Sequence, residues 1–230
     1  MPGCTTACGM CCTGCNSLDR ALTALWHPRH DDGGLPVKLR KPSLASSLDA
    51  WPDAAALALV APDGPMPAAL NGVAFAPWPD APGGIAAWES LADAMLLDEP
   101  LFDAPPGFKR AAGVVVREAD GRVWVVAPSN AFGGYQATFP KGGMQGKSTR
   151  ATALVEAFEE TGLQVRLTGF LVDVQRSTSY TRYFVGERIG GNPAAMGWES
   201  QAVMLVPVAL LRQLLNSPRD LPIIEALEKT

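Results

Sequence analysis

The sequence predicts an α/β fold in its C-terminal half, preceded by a small N-terminal α+β region. Two valine-rich runs, Val114–Val116 and Val123–Val126, surround a turn and have the composition of β-strands. A helical pattern over 148–161 comes next, and further strand patterns follow it. Strands that alternate with helices in this way are typical of a sheet covered by helices.

Each element of the C-terminal half has its own signal. The first two strands flank Asp120-Gly121, a turn typical of a hairpin. Ser148 or Thr149 can cap the start of the helix, and Gly162 can end it. We expect strands over 165–174 and 180–185, around a polar Ser-Thr-Ser turn, and a last strand over 202–206. We expect helices over 207–215, with proline at the first position, and over 221–228.

The chain divides into three parts, residues 1–45, 46–106 and 107–230. In the first part we expect a cysteine-rich tail, a short helix over 18–26, and a polar linker or extended arm over 27–45. The second part has an amphipathic helical pattern from Ile85 to Leu97, a strand pattern from Val73 to Ala76, and a run from Ala54 to Val60 that fits a strand or a short helix equally well.

Composition excludes several classes of protein. Hydrophobic residues make up 47% of the chain, charged residues 18%, and the formal net charge is −4. An acidic chain of this kind lacks the basic face of a non-specific nucleic-acid binder. The sequence has no apolar run of roughly 18 residues that would span a membrane. The N-terminus has no basic stretch followed by an apolar core, so we expect a cytoplasmic protein.

All five cysteines lie within the first fifteen residues. A secreted disulfide scaffold spreads its cysteines through the fold, so this distribution excludes that class for the rest of the chain. The thiolates could hold Zn²⁺, together with His27 or His30, or the segment could be a disordered tail. The residues concerned are Cys4, Cys8, Cys11, Cys12 and Cys15.

The predicted helix over 148–161 carries an acidic face. Glu156, Glu159 and Glu160 stand at positions i, i+3 and i+4, so their carboxylates share one side of the helix. Carboxylate oxygens suit Mg²⁺ or Mn²⁺, which also bind phosphates. The alternative is a solvated acidic face. We expect the opposite side to pack on the sheet through Ala151, Leu154, Ala157 and Phe158.

A glycine-rich turn, Lys141-Gly142-Gly143-Met144-Gln145-Gly146, precedes this helix. Backbone amides in such a turn can approach phosphate oxygens closely, and Lys141 adds positive charge. A tight loop without a ligand is the simpler interpretation of the glycine pair.

Together these residues resemble the box of the Nudix hydrolase family. The run from Glu156 to Leu163 follows the second half of the box, and Phe139-Pro140-Lys141-Gly142-Gly143 resembles its entry. The resemblance covers 107–230 and implies an α/β/α sandwich with a mixed sheet. The sequence departs from the box at Val155, where the family has arginine, and at Lys147, where it has glutamate, and the glycine-rich loop is one residue short.

The resemblance implies hydrolysis of a phosphoanhydride in a nucleoside diphosphate linked to another group, such as a dinucleoside polyphosphate or ADP-ribose. Glu156, Glu159 and Glu160 would then hold the metal and serve catalysis, and Glu199 is a candidate general base downstream. Substrate-binding candidates are Lys141, Gly142 and Gly143, the cations Lys147, Arg176 and Arg182, and Tyr180, which resembles the tyrosine marker of dinucleoside polyphosphate hydrolases.

Two other hypotheses stay open at this point. The departures at Lys147 and Val155 are compatible with a module that binds nucleotide without cutting it. The tryptophan and proline content of residues 46–105 is compatible with a protein-binding surface. For the hydrolase and for the nucleotide-binding module, the expected partner is a small nucleotide or other phosphorylated molecule, neither nucleic acid nor membrane. The family resemblance also allows a homodimer.

Overall fold

The structure, a computed structural model, describes residues 25–230. The five cysteines, and the predicted helix over 18–26 except its last two residues, lie outside this range. Those two residues, Leu25 and Trp26, begin a β-strand, so the prediction of helix is wrong for them.

Eleven strands and four α-helices make up the described chain. The strands are β1 Leu25–His30, β2 Pro36–Leu39, β3 Ala58–Val60, β4 Ala69–Leu70, β5 Val73–Ala74, β6 Lys109–Arg117, β7 Val123–Pro128, β8 Lys141–Gly143, β9 Leu163–Gln175, β10 Ser179–Gly191 and β11 Ser200–Val206. The helices are α1 Ile85–Asp93, α2 Thr149–Thr161, α3 Leu211–Leu214 and α4 Leu221–Leu227. Among the described helices, none is long and apolar enough to cross a bilayer.

The main sheet has the strand order β3-β11-β7-β6-β10-β9, with β8 paired to β6. Strands β6 and β10 are parallel and the other pairs are antiparallel, so the sheet is mixed. Successive side chains of a strand point to opposite faces. Val114 and Val116 accordingly join a core with α1 and α2, whereas Val115 joins a core with α3 and α4. The predicted α/β sandwich with a mixed sheet is confirmed.

The predicted hairpin is confirmed only near its turn. Gly121 has φ 89° and its N–H donates to the carbonyl of Glu118 at 2.9 Å. Beyond the turn, β6 and β7 pair only at Arg117 and Val123. The two strands then separate, and β8 takes the place beside β6. This opening leaves room for the glycine-rich turn beside β6.

Three predicted elements differ from the structure. The linker expected over 27–45 contains most of an antiparallel pair, β1 and β2. The helix expected from Ile85 to Leu97 stops at Asp93, beyond which Met95 packs against the core and its carbonyl accepts from Arg150. The helix expected over 207–215 is a 3-10 turn followed by a single α-helical turn, because Leu215 takes an extended conformation.

Residues 46–106 pack against the C-terminal half of the chain. The strand β3 extends the main sheet by pairing with β11, which resolves the ambiguity over 54–60 in favour of a short strand. Trp51 is 1% exposed, and its ring lies 6.0 Å from that of Trp124. The buried guanidinium of Arg122 donates to backbone carbonyls of this region, including that of Asp53 at 2.9 Å. These contacts make the two parts one packed unit.

A buried ion pair provides the second attachment. The carboxylate of Glu118 pairs with Arg188 and also accepts from the indole N–H of Trp124 at 2.9 Å and the amide of Asn71 at 3.0 Å. Arg188 in turn donates to the carbonyl of Leu70 at 2.9 Å. The bonds to Asn71 and Leu70 join the sheet to the segment that contains β4 and β5.

We predict that Glu118→Gln lowers the free energy of unfolding by about 3 kcal/mol, because it leaves the buried charge of Arg188 without a counterion. Urea or thermal unfolding measures this change. The matched control is Glu228→Gln, which breaks the exposed pair with Arg212 and should leave the free energy of unfolding nearly unchanged. Equal losses in the two variants would contradict this account.

The burial of His27 leads us to expect that stability depends on pH. His27 is 5% exposed, its Nε2 lies 3.1 Å from the carbonyl of Ser200, and its Nδ1 accepts from the N–H of Arg29 at 3.0 Å. Burial is the main cause that lowers the pKa of His27 below 6.5. The unfolded state therefore binds a proton more readily than the folded state. The contribution of His27 to stability is present above about pH 6.5 and is lost as the pH falls.

We expect wild-type stability to decline from pH 6.5 to 5 more steeply than that of His27→Gln, in thermal unfolding measured at several pH values. Because acidic groups titrate in both proteins, the difference between the two curves isolates the histidine. Parallel curves would show that His27 does not titrate in this range.

Candidate functional site

The three glutamates of α2 differ in their exposure. Glu160 is buried, at 8% exposure, Glu156 is half-buried and Glu159 is exposed. The helix that carries them is well defined at both ends. The hydroxyl of Ser148 accepts from the N–H of Ala151, and Gly162 ends the helix with φ 69°. The predicted helix and both of its caps are confirmed.

The glycine-rich turn lies directly against these carboxylates. The backbone N–H of Lys141 donates to Oε2 of Glu160 at 3.0 Å. A Cβ atom at Gly142 would come within 2.4 Å of both carboxylate oxygens of Glu156. Only glycine therefore leaves space for that side chain. At Gly143 the corresponding Cβ would meet nothing closer than 3.9 Å.

Glu199 joins the site from the loop before β11. The N–H of Gly197 donates to the carbonyl of Glu159 at 2.7 Å, which fixes this loop to α2. The carbonyl of Glu199 accepts from the N–H of Ser129 at 2.7 Å. The charge of Glu199 raises the pKa of all three helix glutamates. The downstream carboxylate proposed from the sequence thus lies within electrostatic range of the helix face.

Burial and mutual repulsion raise the pKa values of these carboxyl groups. Burial, followed by the charges of Glu160, Glu159 and Glu199, raises the pKa of Glu156 to about 9. Burial raises the pKa of Glu160 to about 7, against the opposing effect of Lys141. Such a cluster gains stability from added positive charge. The site is therefore electrostatically prepared for a cation.

Two lysines supply part of that charge. Lys147, at the position where the family box has glutamate, lowers the pKa of Glu156 and of Glu159. Lys141 does the same for Glu160 and Glu199. Its ammonium also lies 5.1 Å from the centre of the Tyr135 ring. Val155, the other departure from the box, is 4% exposed and packs in the core beneath the helix.

The arginines and the tyrosine that were candidates for substrate binding have protein partners. Arg176 is 4% exposed and pairs with the buried Asp220 at 2.7 Å. Arg182 is 1% exposed and pairs with Asp173 and Glu99, each at 2.8 Å. Buried guanidinium groups with carboxylate partners are not available to a phosphate in this conformation. They instead hold β9 and β10 to their neighbours.

The ring of Tyr180 also has a partner within the protein. It stacks on Phe102, with 5.7 Å between ring centres and 19° between the planes. One face of the tyrosine is therefore covered by a residue from the segment before β6. This leaves Tyr135, which the sequence analysis did not single out, as the aromatic ring beside Lys141.

Asp32 is the second residue that the sequence analysis missed. It lies in the turn between β1 and β2, and its Oδ1 accepts from the indole N–H of Trp198 at 3.1 Å. Its charge raises the pKa of Glu159 and of Glu199. The only signal at this position is Asp31-Asp32-Gly33-Gly34, which is common in turns and says nothing of a site.

The donor atoms fit a divalent cation chemically. Glu156, Glu159 and Glu160 offer hard carboxylate oxygens, and the bare backbone of Gly142 makes room for the first of them. Within residues 25–230, no three acidic, histidine or cysteine side chains are gathered around one point. Glu159 and Glu199 are exposed, so rotation of their side chains could bring them together around an ion.

The family follows from comparison with known sequences. The model of the NUDIX domain matches residues 107–227, which is more than half of the chain. The chain therefore belongs to the Nudix family, and the predicted membership is confirmed. No curated protein matches the sequence.

Several solved structures are similar to part of the chain at low sequence identity. A NUDIX hydrolase from Nitrosomonas europaea is 16% identical, and the match covers 53% of this chain and 89% of that chain with a TM-score of 0.46. An Ap4A hydrolase from C. elegans is 14% identical over 53% of this chain and 96% of that chain, with a TM-score of 0.45. The family assignment rests on the domain match and not on these distant structures.

The contact between Gly142 and Glu156 generates a test of the site. We expect Gly142→Ala to displace the Glu156 carboxylate and to lower Mn²⁺ affinity by about 10-fold or more, because metal sites depend on ligand orientation. Titration calorimetry measures the affinity. Gly143→Ala is the matched control and should bind as the wild type does, since its Cβ meets open space. Equal affinities for the two variants would exclude a role for this contact.

Proposed function

We propose that this Nudix protein is a metal-dependent pyrophosphohydrolase, which uses Mg²⁺ or Mn²⁺ to cut a phosphoanhydride in a nucleoside diphosphate linked to another group. The main support is a set of four glutamates, at 156, 159, 160 and 199, whose charges lie within electrostatic range of one another beside a glycine-rich turn that carries Lys141. Hydrolysis of an anhydride needs positive charge for the phosphate oxygens and a base for water, and this set of residues can provide both.

In this proposal the cation is held by Glu159 and Glu160, with Glu156 completing the set. The backbone N–H of Lys141 holds one oxygen of Glu160, which leaves the other for an ion. When bound, the cation neutralises the charge of the phosphate oxygens. Lys141, Gly142 and Gly143 would contact the phosphates from the opposite side.

Hydrolysis requires a water molecule to attack phosphorus. A new P–O bond forms, the bridging P–O bond breaks, and the leaving group keeps the bridging oxygen. Glu199 would accept the proton of the water. Burial, followed by the charge of Asp32, raises the pKa of Glu199, which makes its carboxylate a stronger base than an ordinary glutamate.

A cleft that includes Tyr135, the aromatic ring beside Lys141, could take the organic part of the substrate. It has a volume of about 470 Å³, and its lining includes Tyr135, Gln136, Gln201, Arg40 and Lys41. Ligand sites in proteins commonly have volumes of roughly 300–1,000 Å³. A half-exposed tyrosine can stack on a base, and the two cations suit a dinucleoside polyphosphate or an ADP-ribose-like molecule.

A nucleotide-binding module without turnover is the second candidate function. The observation that favours it is Lys147, a cation among the carboxylates at a position where the family box has glutamate. An ammonium ion there competes with a metal for the same negative charge. Binding of nucleotide would survive this exchange, whereas catalysis that needs a full set of carboxylates would not.

We predict that the full chain releases phosphate or nucleotide from one member of a panel containing dinucleoside polyphosphates, ADP-ribose, nucleoside diphosphate sugars and nucleoside triphosphates, with Mg²⁺ or Mn²⁺. Glu159→Gln and Glu160→Gln should each lower kcat by about 100-fold or more, since each removes a proposed cation ligand. Glu225→Gln on the exposed side of α4 is the charge-matched control and should keep full activity.

Loss of turnover in both site variants but not in the control would support the hydrolase. Nucleotide binding by folded protein without turnover on any substrate would favour the non-catalytic module. Turnover that survives both substitutions would rule out the proposed site.

A further inference from the structure

The hairpin formed by β1 and β2 lies outside the matched Nudix domain, yet it is attached to the start of β11 and to the segment after β7. At one end, Nε2 of His27 lies 3.1 Å from the carbonyl of Ser200, the residue after Glu199. At the other end, the amide of Asn130 accepts from the N–H of Arg40 and donates to the carbonyl of Lys38, each at 2.8 Å.

A second amide holds the chain that leaves the hairpin. Gln201 donates to the carbonyl of Lys41 at 3.0 Å, and its Oε1 accepts from the N–H of Asn130 at 3.0 Å. Asn130 follows Ser129, whose N–H donates to the carbonyl of Glu199, and Gln201 lies two residues after Glu199. The hairpin is therefore held by residues next to those that hold Glu199.

Asp31 and Asp32, at the tip of this hairpin, have different roles. Oδ1 of Asp31 accepts from the N–H groups of Gly33 at 3.0 Å and Leu35 at 2.8 Å, so this carboxylate stabilises the turn. In the described part of the chain, the carboxylate of Asp32 has one hydrogen bond, from the indole of Trp198 at 3.1 Å. The turn does not require an acidic residue at this second position.

The bond to Trp198 holds Asp32 beside the loop that carries Glu199. Trp198 lies between Glu199 and Gly197, and the N–H of Gly197 donates to the carbonyl of Glu159 at 2.7 Å. The influence of Asp32 on the pKa of Glu159 and of Glu199 agrees with this geometry. A further negative charge at this place is unfavourable unless a cation compensates it.

We infer that Asp32 is a further acidic residue of the cation site, supplied by the N-terminal hairpin and held there by Trp198. It offers a carboxylate to a site whose box has lost one at Lys147. The inference rests on the proposed function, because it assigns Asp32 to the same divalent cation. Asp32 would contribute to the affinity for the ion and for the phosphates that the ion binds.

The test measures Mn²⁺ binding to the full chain without substrate. Electron paramagnetic resonance of the free ion detects how much Mn²⁺ is bound. We expect Asp32→Asn to weaken Mn²⁺ binding by about 10-fold or more. Asp31→Asn is the matched control, since it removes the neighbouring charge but keeps an oxygen that can accept the bonds of the turn. Trp198→Phe removes the indole donor and should weaken binding less than Asp32→Asn does. Unchanged thermal midpoints would show that each variant folds.

A parallel measurement on Glu159→Gln separates the two proposals. If Glu159→Gln weakens binding and Asp32→Asn binds as the wild type does, the inference about Asp32 is wrong and the proposed function stands. If Glu159→Gln leaves Mn²⁺ binding unchanged, the proposed cation site itself is wrong. Equal weakening in Asp31→Asn and Asp32→Asn would show a general effect of charge and would also overturn the assignment.

Discussion

The carboxylate of Glu160 is buried where the acidic helix meets β8, and the backbone N–H of Lys141 satisfies one of its oxygens. A buried carboxylate is costly unless it has such a partner. This single hydrogen bond joins α2 to β8. Because β8 pairs with β6, it also sets the position of the glycine-rich turn relative to the whole sheet. The close approach of Gly142 to Glu156 depends on the same junction.

The departures from the family box have separate physical consequences. Val155 adds apolar surface to the core beneath α2. An arginine at this position could have oriented the glutamates, whereas valine only packs against the core. Lys147 places an ammonium near Glu156 and Glu159 and reduces the repulsion between them. The remaining excess of negative charge comes from Glu160, Glu199 and Asp32. The site therefore keeps an attraction for cations although its box is altered.

The N-terminal region is joined to the Nudix domain through buried cations and a shared sheet. Arg122 and Arg188 direct guanidinium groups at backbone carbonyls of residues 50–74, and β3 covers the edge strand β11. An uncovered edge strand tends to pair with other chains. This arrangement stabilises both parts.

The sequence by itself determined the acidic helix with its caps, the order of strands and helices in the C-terminal half, and the membership of the family. These features depend on local periodicity, capping and spacing, which are written in neighbouring residues. The burial of Arg176 and Arg182 could not be foreseen, because their partners Asp220 and Glu99 are distant in the chain. The same holds for Asp32. Only the tertiary structure brings this turn residue to Trp198, through contacts over long separations that leave no local pattern.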